Sequence, residues 1–287
     1  MRYDFGAVYK EIRKSKGLSQ ADVCGEVLSR TTLAKFESGK VTPKYENMEF
    51  LLRQIDMSFG EFEYICNLYQ PSLRSSLQIK LNNLISSADT STLVELQKEC
   101  QAYLRKDHDI PIQHISDLLQ ITIHIRQNGI KQLPENINII TKKIWQYLEK
   151  HDTWYESNLK MLNTILYFFS SNQTLESITE KVLDSLEKYK NYKEVQQDFF
   201  SILSNLATVY LRNNNMKDCE RITEKTYQLA RNLKRYDFLG FSQIRLGICR
   251  HDDNLIQKGL QLLELTEQKQ MLDVIKHEIN HFYKSSF

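Results

Sequence analysis

Apolar residues recur at helical spacing along nearly the whole of this 287-residue chain, and short polar breaks separate one run from the next. The first run predicts a helix from about Phe5 to Lys16, with Phe5, Val8, Ile12 and the stem of Lys16 near one face and Gly17 closing it. Ser19 and Asp22 form a capping-box-like pair, with Asp where Glu is usual. They open a second helix, Gln20 to about Glu26, that buries Val23 and Cys24. Ser29 caps a third helix, which buries Leu33 and Phe36. Thr42 followed by Pro43 predicts the N-cap and first residue of a fourth helix. Ser58 with Glu61 caps a fifth, which runs through Glu63 to Cys66.

From about Pro71 the pattern is helix after helix, with starts near Ser72, Asp89, Asp109, Pro134, Thr153, Thr174, Lys193, Asn215, Tyr236, Asn254 and Met271. Thr153 and Glu156 spell a capping box, and Pro111 and Pro134 suit first turns. The breaks are polar: Gln127-Asn128-Gly129, Ser170-Ser171-Asn172 and Asn213-Asn214-Asn215. Alternate starts at Asp109, Thr153, Lys193 and Tyr236 lie 44, 40 and 43 residues apart. A period near forty with two helices per unit reads as an α-solenoid. The clearest unit, residues 199–233, resembles a tetratricopeptide repeat of looser spacing: Ala207 and Ala230 permit close helix approach, and Tyr210 and Tyr227 fill the gaps between layers. The expected fold is therefore all-α. A five-helix helix-turn-helix domain occupies residues 1–66, and a right-handed α-solenoid of tetratricopeptide-like helix pairs occupies residues 67–287.

Composition sharpens this picture in three ways. Nine Gly and four Pro in the whole chain leave few sites for turns and bulges, which favours helices throughout. A net charge of +2 confines any nucleic-acid binding to a local patch. The five Cys, at 24, 66, 100, 219 and 249, form no Cys-x-x-Cys pair and read as free thiols of a reducing, cytoplasmic setting. No secretory leader is read at the start of the chain. No apolar run approaches the roughly 20 residues that span a bilayer, Ile165 to Phe169 being a short core run.

The segment Lys16-Gly17-Leu18-Ser19-Gln20, then Ser29-Arg30-Thr31-Thr32-Leu33, then Phe36-Glu37-Ser38-Gly39-Lys40, with Pro43 four residues after Gly39, resembles the helix-turn-helix of the lambda repressor and Cro-type family. The resemblance implies that Gln20 clamps a phosphate and that Arg30, Thr31 and Thr32 enter the major groove. An Arg can pair with guanine in bidentate fashion, and a Thr methyl can meet a thymine methyl. Lys35 lies one turn further along, and Arg13, Lys14 and Lys40 add positive charge. Eight basic against five acidic residues over positions 1–40 is a modest bias, so the motif carries the reading more than the charge does. In that family the Glu at position 37 braces the fold.

Asn163 and Asn205 sit 42 residues apart, each among apolar neighbours inside the first helix of its pair. Asn disfavours helix interiors, so both need a partner. An Asn amide can hold the backbone of an extended peptide, or it can bond a neighbouring helix. The two halves together resemble the Rgg group of peptide-pheromone-responsive regulators of Gram-positive bacteria, through Phe36–Gly39 and the aromatic Trp154–Glu156 stretch. That resemblance implies a cytoplasmic homodimer that binds palindromic double-stranded promoter DNA and takes a short imported hydrophobic peptide in a concave groove, without a cofactor or metal. Asn163 and Asn205 would clamp the peptide, with Asn158 and Tyr210 as weaker candidates. Arg126 and Arg245 would meet an acidic side chain or the terminal carboxylate, and Leu272, Ile275, Ile279 and Phe282 would form the dimer contact. Some members carry a Cys just after the Pro that follows helix three. Pro43 to Met48 has none here, so that intermolecular disulfide is not expected. The alternative is a repeat domain that docks a folded partner.

Two further patterns bear on chemistry. His277-Glu278-Ile279-Asn280-His281 spells the zincin motif, but the six residues after it supply no third ligand, and a surface or dimer-facing helix is expected instead. Cys249, beside Arg250 and His251, would have a lowered pKa if it were reactive, though one Cys at a helix end is more often inert. With no phosphate loop and no nucleophile elbow, an enzyme is not expected.

Overall fold

A computed structural model of the chain describes residues 4–83, 90–129, 134–169, 172–192 and 195–283. Every regular element among them is helical. The expected starts near Asp89 and Lys193 and the Ser170-Ser171 part of one break lie outside the described residues. The chain divides into two compact units, Met1–Asn83 with Arg105–Asp107, and Leu84–Leu104 with His108–Phe287.

The first unit opens with α1 (Phe5–Ser15), α2 (Gln20–Cys24) and α3 (Arg30–Glu37), followed by α4 (Tyr45–Gln54), α5 (Phe59–Cys66) and α6 (Leu73–Asn83). Ser19 caps α2 by accepting from the Asp22 N–H at 3.2 Å, while Asp22 accepts from the Ser19 N–H at 2.7 Å. Ser29 and Ser58 cap α3 and α5 as the sequence predicts. Val8, Tyr9, Val23, Leu33, Phe36, Leu51, Leu52 and Ile55 build one core, and the Tyr9 hydroxyl donates to the Leu51 carbonyl at 3.1 Å. Gly6 lets α1 and α3 touch, because a Cβ there would lie 1.8 Å from the Phe36 carbonyl oxygen. The fourth helix departs from expectation. It begins at Tyr45 with Lys44 in the cap position, and Thr42 and Pro43 stay outside it. Met48, Leu51, Leu52 and Ile55 set which face of α4 is buried, and Pro43 holds the residue before it extended.

In the second unit, α7 (Thr90–Leu104) pairs with α8 (Ile110–Asn128), and α9 (Glu135–Glu149), α10 (Glu156–Ile165) and α11 (Asn172–Lys188) follow. Then come α12 (Gln196–Arg212), α13 (Met216–Leu233), α14 (Tyr236–Arg250), α15 (Asp253–Leu265) and α16 (Lys269–Glu278), the last widening into a π turn over Ile279–Tyr283. The first helices α8, α10, α12 and α14 start 46, 40 and 40 residues apart, and α10 packs against both α8 and α12, which is the stacking of an α-solenoid. One core runs from Leu118 to Ile279, and Ala207 and Ala230 are wholly buried within it. Gly240 and Gly259 make the α14–α15 crossing tight, since a Cβ on Gly259 would meet the Gly240 carbonyl oxygen at 2.5 Å.

The expected cap at Thr153 is not formed. Trp154 is buried and donates its indole N–H to the Leu148 carbonyl at 3.0 Å, so the chain turns inward there and α10 starts only at Glu156. No described helix is long and apolar enough to cross a membrane.

Candidate functional site

In the first unit, α3 presents Arg30, Thr31 and Lys35 to solvent. Arg30 and Lys35, together with the exposed Lys14 and Lys40, have no ion-pair partner among the described residues. Thr32 is exposed too, but its hydroxyl lies 2.9 Å from Ser29 Oγ in the cap of α3. The helix thus offers two exposed cations and a methyl-bearing hydroxyl on one face, the set that suits phosphate and base-edge contacts.

Arg13 does not join that face. It is buried, with Nε 2.7 Å from Glu37 Oε1, Nη2 2.9 Å from Glu37 Oε2 and Nη1 2.6 Å from the Leu18 carbonyl. All three guanidinium nitrogens are engaged, two of them tying α1 to Glu37 of α3, which corrects its assignment as a DNA contact. Glu37 is the hub of this network, for Gln20 Nε2 donates to the same Oε2 at 2.9 Å. That bond fixes Gln20 at the mouth of α2 and leaves its second amide proton for an anion. The Asp22 carboxyl is held below its usual range by the Ser19 hydroxyl and backbone N–H, so it stays ionised at the cap.

In the second unit, Asn163 of α10 and Asn205 of α12 meet directly. Asn205 Nδ2 donates to Asn163 Oδ1 at 2.8 Å, and Asn205 Oδ1 accepts from the Tyr167 hydroxyl at 2.7 Å. Tyr167 lies in the one-turn 3-10 extension of α10. Its ring also carries the Arg212 guanidinium, 5.5 Å from the ring centre. At the other end of the same seam Lys160 Nζ sits 2.7 Å from Glu156 and 3.5 Å from Asp198. Burial raises the Asp198 carboxyl and Lys160 pulls it partly back, so the pair shares a half-dry environment. Asp198, Asn205 and Arg212 are seven residues apart on one stripe of α12, and Lys160, Asn163 and Tyr167 face them. Both Asn residues are half-buried, and the two amide protons of Asn163 are not engaged by any described group. Sequence reasoning found the two Asn through their spacing. It missed Tyr167, Lys160, Asp198 and Arg212, whose polar role shows only once α10 and α12 stand side by side.

Several other predicted residues lie elsewhere. Asn158 is buried and its Oδ1 accepts from the Tyr155 N–H at 3.0 Å, so it caps α10 and does not line a groove. Tyr210 is buried with its hydroxyl 2.9 Å from Thr179 Oγ1, bridging α12 to α11. Arg245 is only 1% exposed. Its Nε and Nη2 reach Glu278 at 3.1 and 2.5 Å, and Nη1 donates to the Ser204 carbonyl at 2.8 Å. It is a structural tie between α14 and α16, closed to any ligand. Arg126 alone of the two arginines is exposed, near the end of α8. Leu272, Ile275 and Ile279 are buried inside their own chain, and Phe282 packs partly against the same core. They cover α14 and α15 and are not free for a second copy. The apolar side chains left exposed near this end are Leu265, at 82%, and Val274, at 57%.

The zincin-like pentapeptide is taken apart by the fold. Glu278 turns inward to Arg245, while His277 and His281 face solvent. No cluster of three metal-ligating side chains occurs among the described residues. The basic neighbours of Cys249 do not lower its pKa. Arg250 is engaged by Glu220 and Glu224 at 2.7 and 2.9 Å, and Cys249 donates to Cys219 Sγ at 3.5 Å. That donation and burial push the Cys249 thiol up.

Comparison with known proteins places these features in a family. The family described as HTH-type transcriptional regulator Rgg, C-terminal domain, matches residues 95–276, and a helix-turn-helix family matches residues 10–62. A candidate transcriptional regulator from Listeria monocytogenes EGD-e has a similar structure, with a TM-score of 0.77 at 19% identity, covering 100% of this chain and 99% of that one. The SHP pheromone receptor Rgg2 of Streptococcus dysgalactiae aligns with a TM-score of 0.69 at 14% identity, over 96% of this chain and 98% of its own. PlcR of Bacillus thuringiensis, solved with the peptide PapR7 and DNA, gives 0.65 at 14% identity, over 95% and 98% of the two chains.

Proposed function

Because the chain belongs to the Rgg family of helix-turn-helix transcriptional regulators, we propose that it is a DNA-binding regulator controlled by a short signalling peptide. In this reading residues 1–66 bind double-stranded promoter DNA, and residues 67–287 bind the peptide and hold two copies together in the cytoplasm. The observation that carries the peptide half is the polar seam between α10 and α12. It holds two half-buried Asn amides one repeat apart, with spare amide protons on Asn163. A peptide backbone can accept there without any side chain being read. Support also comes from PlcR, a protein of the same fold seen with both a peptide and DNA. We read the chain as non-catalytic, since its one enzyme-like motif has its Glu buried against Arg245.

Screening the full chain by thermal shift against short synthetic hydrophobic peptides tests this reading. Ligand at 100 times Kd adds about 2.7 kcal/mol to stability. A hit should lose about 1–3 kcal/mol of binding in Asn163→Ala, with the fold intact, since Ala suits a helix interior. Asn205→Ala should lose a similar amount and also leave the Tyr167 hydroxyl without its acceptor. Unchanged peptide affinity in both variants would remove the clamp and favour a docked folded partner.

Arg30 tests the DNA half. Arg30→Ala should cost about 1–3 kcal/mol of affinity and relax sequence preference, while Gln20→Ala should weaken all sequences alike. Gel shifts in which Arg30→Ala binds like the parent would exclude Arg30 as a reader. Palindromic half-sites call for a dimer. With Leu272, Ile275 and Ile279 buried internally, we place the contact on exposed apolar positions such as Leu265 and Val274.

A further inference from the structure

Helices α13 and α14 form an antiparallel hairpin joined by a tight turn at Lys234 and Arg235. Hydrogen bonds and ion pairs across it fix which residues stand opposite. Thr226 Oγ1 meets Ser242 Oγ at 3.0 Å near the middle. Seven residues back along α13 and seven on along α14, two helical turns in each direction, Cys219 faces Cys249 with the sulfurs 3.5 Å apart. The ion pairs of Arg250 with Glu220 and Glu224 brace the hairpin beside them. The two thiols are thus held together at the open end of the hairpin by the same register that aligns the rest of the seam. A disulfide needs a sulfur separation near 2.05 Å, which each side chain can supply by a small rotation.

Access and charge are divided between the two. Cys219 is wholly buried and Cys249 is half-buried, the more accessible of the two. Donation from Cys249 and the nearby Arg245 guanidinium favour a thiolate on Cys219, and the S–H between the sulfurs lets one proton serve both. When the pair gives up one proton, the other lies between the two sulfurs and can be held by either.

We infer that Cys219 and Cys249 form an oxidative modification site, a dithiol that a small hydroperoxide such as hydrogen peroxide converts to an intramolecular disulfide. With the shared proton passed to Cys219, the Cys249 sulfur attacks one peroxide oxygen. The O–O bond breaks, hydroxide leaves and takes up the thiol proton as water, and Cys249 becomes a sulfenic acid. The Cys219 thiolate then attacks the Cys249 sulfur, the S–O bond breaks, and the departing hydroxide takes a proton from solvent and leaves as a second water. Two thiols are oxidised by two electrons and one peroxide is reduced to two waters. The product closes residues 219–249 into a loop and staples the open end of the hairpin.

The test uses the reduced full chain, treated with equimolar hydrogen peroxide and digested without reductant. The expected product is a linked pair of peptides containing Cys219 and Cys249, two hydrogens lighter than their sum, with Cys24, Cys66 and Cys100 still titrating as thiols. The melting temperature should rise by roughly 5–10 °C on oxidation and fall back on reduction. Cys219→Ser should stop at a Cys249 sulfenic acid that a cyclic dione traps, and Cys249→Ser should leave Cys219 as a thiol because peroxide does not reach it. The proposal is overturned if the parent chain gives no linked peptide, whether because Cys249 proceeds to the sulfinic acid, because the bond joins two chains, or because nothing reacts. It is overturned equally if the link forms only after unfolding in urea.

Discussion

Glu278→Ala is expected to destabilise the second unit by about 3–5 kcal/mol, because it strands a fully buried guanidinium. Arg245 sits under α16 with both Glu278 oxygens on its fork, the Ser204 carbonyl on its third nitrogen and the Phe241 ring 4.6 Å away. Burial works against its charge, and the Glu278 carboxylate more than offsets this, so it stays charged above its ordinary range. The measurement is the urea midpoint of the full chain. The double change Arg245→Met with Glu278→Leu should recover most of the loss, since apolar replacements of a buried pair are often neutral or better. A loss under about 1 kcal/mol in Glu278→Ala would mean that the guanidinium reaches solvent.

Glu37→Ala should be equally damaging in the first unit, at about 3–5 kcal/mol, and its effect reaches DNA binding as well. It leaves Arg13 buried with only the Leu18 carbonyl, and it frees Gln20 from its single anchor. Melting curves should fall, and gel shifts run well below the new midpoint should still show weaker binding to every sequence, because Gln20 is no longer aimed. Arg30→Ala offers the opposite signature, with normal melting and impaired DNA binding. A Glu37→Ala protein that melts like the parent would show that Arg13 finds another acceptor.

These two ion pairs also mark where sequence reading stops. Ser19, Ser29 and Ser58 were legible as caps because a cap acts over three residues. The Asn163–Asn205 neighbourhood was legible because the repeat period brings those positions together. Arg13 and Arg245 were legible as cations, but their carboxylate partners lie 24 and 33 residues away, so their burial was not. The same distance hid Tyr210 behind Thr179 and Cys249 behind Cys219. Leu272, Ile275 and Ile279 were recognisable as an apolar face. Which surface that face covers, its own chain or a second copy, is decided by packing that a single helix does not encode. Thr42 and Thr153 failed as caps for a related reason, since the buried residues that follow them set where each helix can begin.

The chain of bonds from Tyr167 through Asn205 to Asn163 has a kinetic consequence for peptide control. Asn205 is held at both ends by Tyr167 and Asn163, so in the proposed peptide complex its side chain would have little rotamer freedom left to lose. Arrival of a peptide then requires no local rearrangement at this point, and entry rates should vary little between peptides. Discrimination would rest on how long each one stays. Under the proposed peptide control, a cell reading a brief pulse of signal would respond to residence time, with the best-fitting peptide outlasting competitors that bind at similar speed.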